Sequence, residues 1–162
     1  MEHLFLLPGE YRISRQPEVI ETLVGSCVTV CLFNMKTGHA AMNHFLQDHP
    51  ASQNAHEIGK YGTMATEYII NTLMEIDLVP SHYRAQIFGG AAVLKITSDN
   101  TCVGVKNSDA ARKILANHHI TIIREEVGGT RGRRVRFDTS TNTVFCRFAG
   151  QVGKQYRHPG LP

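Results

Sequence analysis

Residues 27 to 33 read Cys-Val-Thr-Val-Cys-Leu-Phe, an unbroken run of apolar and β-branched side chains. Such residues suit a pleated, enclosed surface, so the run reads as a buried strand. Gly25-Ser26 turns the chain into it, and the segment from Asn34 to Gly38 turns the chain out of it. Residues Ala40 to Phe45 bring the chain back, which predicts a hairpin with His44 on its second strand. A buried strand needs further layers over it. Short strands over Tyr11 to Ser14, Val19 to Leu23, Ala85 to Phe88, Ile120 to Val127 and Thr143 to Phe148 supply candidates. Val135 and Phe137 alternate with Arg134 and Arg136, the pattern of a half-exposed strand.

Two helices are expected. Tyr61, Ala65, Tyr68, Ile69, Leu73 and Ile76 recur at spacings of three and four, and Pro80 closes that segment. Asn107 or Ser108 caps a second helix, with Ala111, Ile114 and Leu115 on its buried side. Between hairpin and first helix, Gln47 to Lys60 is polar and reads as a long loop. Residues 1–150 form one domain in this reading, and 151–162 form a loosely held tail rich in Gly, Pro and Gln.

A chain of 162 residues with 42% hydrophobic content has enough apolar surface for one real core. No apolar run approaches the roughly 20 residues that span a bilayer. The start, Met1 to Pro8, lacks the basic residues of an export signal, so a cytoplasmic protein is expected, with no membrane insertion. The net charge of +3 is mild and does not call for nucleic acid. Arg131, Arg133, Arg134 and Arg136 cluster late; they read either as a solvated strand face or as a surface for an acidic partner. A nucleic-acid reader would show exposed aromatics beside them, whereas Phe137 and Phe145 read as core.

Chemistry points to the four cysteines and nine histidines. Cys27 follows Gly25-Ser26 where a strand begins, a position at the rim of a sheet. Gly25 permits close backbone approach, and amide N–H groups near Ser26 can face a developing oxyanion. A thiolate is the attacking species, so the thiol is expected to fall below its ordinary pKa of about 8.5 with help from an imidazole. His44 alone among the histidines lies within an apolar strand. The bland alternative makes Cys27 a small buried hydrophobe and His44 a core histidine bonded to backbone. Cys27 and Cys31 lack the second ligand pair a zinc site needs, so no metal is expected. No phosphate-cradling glycine motif occurs, and no cofactor is expected. Gly89-Gly90 and Gly128-Gly129 read first as turns and second as points where the backbone can approach a partner closely.

Several segments together resemble one family. They are Pro8-Gly9-Glu10-Tyr11, Thr22-Leu23-Val24-Gly25-Ser26-Cys27-Val28, Met42-Asn43-His44-Phe45, Lys60-Tyr61-Gly62, Phe88-Gly89-Gly90-Ala91, Gly104-Val105-Lys106-Asn107 and Gly128-Gly129-Thr130-Arg131-Gly132-Arg133. In this order they are similar to the chemoreceptor glutamine deamidases of bacterial chemotaxis, the CheD family. The loop after Phe45 departs from the family at Gln47-Asp48, which bears on receptor preference. The resemblance implies an α/β fold, a layered sandwich of β-sheets packed together with helices on the outside. It implies hydrolysis of selected receptor glutamines to glutamate through a cysteine thioester. Cys27 would be the nucleophile, His44 the base and Thr22 the third triad member, with Glu21 as a rival for that place. Gly25 and Ser26 would serve the oxyanion. Glutamyl methylesterase activity would use the same route. Partners would be methyl-accepting chemotaxis receptors and a CheC-type phosphatase; the alternative is a non-catalytic adaptor that binds either of them.

Overall fold

The computed structural model describes residues 1–47, 58–93 and 97–150. Its strands are β1 (Glu2–Leu6), β2 (Tyr11–Ser14), β3 (Glu18–Val24), β4 (Val28–Asn34), β5 (Ala40–Asn43), β6 (Tyr83–Gly89), β7 (Thr121–Val127), β8 (Arg133–Asp138) and β9 (Thr143–Phe148). Helix α1 spans Gly62–Met74 and α2 spans Thr97–Asn117. The strands form a four-stranded sheet, β1-β3-β8-β9, and a five-stranded sheet, β2-β5-β4-β6-β7. The α/β sandwich expected from the resemblance is the fold observed.

The apolar run after Gly25-Ser26 explains the layering. Every residue of β4 is buried, because the strand has a core on each side. Val28, Val30 and Leu32 pack with Ala65, Ile69, Ile70 and Leu73 of α1 and with Ala111 and Leu115 of α2. Cys31 and Phe33, on the other face, pack with Ile20, Val24, Val135, Phe137, Val144 and Cys146 of the four-stranded sheet. The order of layers is therefore sheet, sheet, helices. Alternation along one strand addresses both cores.

The hairpin forms as expected. β4 and β5 run antiparallel with Cys31 opposite Met42. Pairing resumes beyond β5, where Val28 and Phe45 exchange hydrogen bonds of 3.1 and 3.0 Å. His44 thus lies one residue past β5, inside the ladder's extension. β1, which the sequence pattern did not mark, pairs parallel with β3 and sets Leu6 beside Thr22.

The second helix differs from expectation. It begins ten residues before Asn107, at Thr97, and both supposed caps are buried within it. Ser108 Oγ donates to the Gly104 carbonyl one turn back, and Asn107 bonds carbonyls of distant segments. Asn and Ser favour helix starts because they compete locally with the backbone, and here tertiary or preceding-turn partners occupy them. The first helix stops at Met74, and Pro80 opens a short 3-10 turn, Pro80–His82. The glycine pair Gly89-Gly90 is more than a turn. A Cβ on Gly104 would lie 2.3 Å from the Gly90 carbonyl oxygen, and one on Gly89 would lie 2.2 Å from that of Cys27. The end of β6 is pressed between α2 and the Cys27 segment. The expected loop falls mostly outside the described residues, although its flanks Gln47 and Tyr61 pair directly. The expected tail from 151 lies outside them entirely.

Candidate active site

Three elements converge between the sheets. β3 turns Thr22 inward with Ile20 and Val24, while its outward neighbour Glu21 is paired with Arg134 at 3.7 Å and Arg136 at 3.8 Å. Glu21 is therefore on the wrong face to meet His44. Those ion pairs also make Arg134 and Arg136 part of a solvated strand face. The His44 backbone is anchored by the N-terminal segment: its N–H donates to Glu10 O at 3.0 Å, and its carbonyl accepts from Gly9 N at 2.8 Å. Asn43 faces the helices instead, accepting from Val30 N and meeting Thr66.

The Thr22 Oγ1 to His44 Nδ1 distance is 2.6 Å, and Thr22 Oγ1 lies 2.7 Å from the Leu6 carbonyl. A hydroxyl has one proton, and the Leu6 carbonyl can only accept. Thr22 therefore donates to Leu6 and accepts from Nδ1–H. That tautomer leaves Nε2 with a free lone pair, and Nε2 is buried without a hydrogen-bond partner among the described residues. An imidazole held through one nitrogen with the other open is the arrangement of a general base.

Register sets the Cys27 segment beside that of His44. With Val28 opposite Phe45, the next pair inward sets Thr29 opposite His44. Cys27, two residues from Thr29, shares that face and lies diagonal to His44. Its side chain packs against the core between the sheets. Cys27 is half-buried, whereas Cys31 and Cys146 are buried. It opens onto a cavity of about 330 Å³ lined by Ser26, Leu46, Gln47, Val103 and Lys106. Gly25 does not adopt a left-handed backbone; it packs closely on Val93, where a Cβ would sit 3.2 Å from the side chain and press it aside. Lys106, Val103 and Asn107 had no mark in the sequence as site residues. Lys106 and Asn107 belong to the motif Gly104 to Asn107, and Val103 directly precedes it.

The electrostatics depart from expectation. Burial pushes the Cys27 thiol above its ordinary value, with only its own backbone N–H pulling the other way. Burial also drives His44 down to about 4, against opposing pulls from the Leu6 carbonyl and the Glu10 carboxylate. At neutral pH the Cys27 thiol and the His44 imidazole both rest neutral, with no preformed thiolate. The cause is a dry inter-sheet setting that penalises both charged forms. Alkylation of Cys27 by iodoacetamide is accordingly expected to accelerate with pH through a midpoint above about 8.5. A rate already flat at pH 7 would reveal an ion pair instead.

Comparison with known proteins gives the chain's family. The family model described as CheD chemotactic sensory transduction matches residues 45–148. A Geobacter sulfurreducens protein named "Probable chemoreceptor glutamine deamidase CheD 1" is 39% identical, over 88% of this chain and 75% of its own length. A CheD 2 relative of the same descriptive name from Shewanella oneidensis is 37% identical, over 85% of this chain and 72% of its own. A further CheD 2 relative from Geobacter sulfurreducens is 32% identical, over 91% and 90%. Among the described residues, no helix is long and apolar enough to cross a membrane. With a family model covering most of the chain and relatives of this similarity along nearly all of it, the chain belongs to the CheD family of chemotactic sensory transduction.

Proposed function

We propose that the protein hydrolyses the side-chain amide of selected chemoreceptor glutamines, with Cys27 as nucleophile, His44 as base and Thr22 as the residue that holds the base. The relatives' names supply the substrate class. The observation that carries the mechanism is the Thr22–His44 hydrogen bond, which leaves Nε2 unprotonated and open.

The glutamine carboxamide enters the cavity beside Ser26 and Cys27. As Sγ bonds the amide carbon, Nε2 takes the thiol proton, so charge separates only when the substrate is present to receive it. The oxyanion forms near the amide N–H of Cys27. Collapse breaks the C–N bond, and the imidazolium returns its proton to the leaving ammonia. Water then attacks the thioester carbonyl and gives a proton to Nε2. The C–S bond breaks, sulfur regains that proton, and glutamate leaves. A glutamyl methyl ester would pass through the same thioester with methanol as leaving group. Methanol release from methylated receptor fragments tests that second activity.

Thr22→Val keeps the shape of the third residue and removes its oxygen. The imidazole then loses its tautomer and its aim. We expect kcat to fall roughly 10²-fold, followed by mass spectrometry of amide-to-acid conversion on receptor fragments. Thr22→Ser restores the hydroxyl and retains most of the rate. Wild-type activity in Thr22→Val would remove Thr22 from the mechanism. The adaptor reading predicts no conversion of receptor glutamine by the wild-type protein at all.

A further inference from the structure

The Asn107 side chain is fully buried in the middle of α2. Its amide nitrogen lies 2.9 Å from the Ser26 carbonyl oxygen and 3.0 Å from the Leu46 carbonyl oxygen. Both partners only accept, so the amide group must be the NH₂ end, and both of its protons are used. Its Oδ1 is buried without a partner among the described residues. Ser26 immediately precedes Cys27, and Leu46 is two residues beyond His44. One side chain thus ties the segment bearing the sulfur and the segment bearing the imidazole to the same helix. The cavity lining agrees: Ser26 and Leu46 meet there with Val103 and Lys106, which lie one turn and one residue before Asn107.

We infer that Asn107 is a positioning residue that sets the plane of the Ser26–Cys27 peptide and so aims the Cys27 N–H at the oxyanion. The reason is geometric. In a trans peptide the C=O and the following N–H point in opposite directions within one plane. Holding the Ser26 carbonyl toward α2 turns the Cys27 N–H away from α2. No backbone carbonyl among the described residues accepts that N–H, since the ladder begins at Val28, whose N–H bonds Phe45. The Cys27 N–H bears instead on its own sulfur. A donor without a carbonyl partner beside the nucleophile, in a fixed direction, is what an oxyanion requires. Without the Asn107 bonds, the Gly25-Ser26 turn can rotate this peptide.

This inference rests on Cys27 as the nucleophile, and its test separates the two. Asn107→Leu fills the space and removes both donors. We expect kcat on receptor fragments to fall at least roughly tenfold with KM little changed. Iodoacetamide alkylation at Cys27, mapped by peptide mass, is expected to slow several-fold at a fixed pH, because the sulfur loses its N–H. Leu115→Ala, which opens a cavity on the same helix far from these contacts, controls for stability and should leave both rates unchanged. If Asn107→Leu does not fold, Asn107→Ser, which leaves room for water at both carbonyls, is read in the same way. Wild-type values of kcat and alkylation in a folded Asn107 variant would overturn the inference, as would equal losses in Leu115→Ala. A wild-type protein that releases no ammonia overturns the functional reading alone, because alkylation needs no substrate.

Discussion

Cys27→Ala should reduce ammonia release from receptor fragments to background, a loss of at least ~10³-fold. Among the cysteines whose side chains are described, Cys31 and Cys146 offer no substitute nucleophile: both are buried away from solvent, and burial holds the Cys146 thiol up at about 12. The change should barely touch the fold, because Cys27 is half-buried and the replacement deletes a single atom at the edge of the core. A stability change within about 1 kcal/mol in urea unfolding is expected. The two measurements belong together. Lost activity in a well-folded variant assigns the chemistry to the sulfur, and retained conversion of glutamine to glutamate would dismiss it.

His44→Gln should cost roughly 10²–10⁴ in rate, the range for loss of a general acid–base group. It should also alter acid stability, which no surface histidine would do. His44 titrates at about 4 in the fold against an ordinary 6.5. The unfolded chain therefore binds the proton first as pH falls. Stability linked to the neutral ring is full above about 6.5 and drains away as pH drops toward 4, by about 3 kcal/mol in all. Equilibrium unfolding of the wild-type protein between pH 7 and pH 4 should show that loss, and the glutamine variant should lack it. Equal slopes in the two proteins would mean that the ring is not buried neutral. Because the resting thiol is already protonated, the alkylation curve of Cys27 should shift little in this variant. That outcome differs from an imidazole that holds a thiolate, whose removal would move the curve to higher pH.

The strand order in the hairpin was readable because its cause is local. Seven enclosing side chains in a row, turns at both ends and one histidine in the returning strand need no distant partner to be recognised. The pairing of Thr22 with His44 was a different matter. From propensity alone Thr22 is an ordinary strand residue, and Glu21 beside it carries the stronger charge. Only the packing of β3 across the five-stranded sheet puts the threonine inside and turns the glutamate out to Arg134 and Arg136. Asn107 was misread outright. A capping signal is a local preference, and it is blind to carbonyls 61 and 81 positions away.

The sign of the thiol's shift shows the same division. Spacing suggested an imidazole near a sulfur, and chemistry then suggested a lowered thiol. Burial between two sheets reverses that, because desolvation depends on every layer around the pair. Residue order along the chain established most strands and the hairpin, since alternation and turn chemistry act over a few residues, and the resemblance of its motifs singled out Cys27 and His44 as candidates. Which face of each strand meets which, how dry the meeting place is, and which helix side chain holds the nucleophile's peptide came from the folded chain, since those contacts join segments that periodicity never compares.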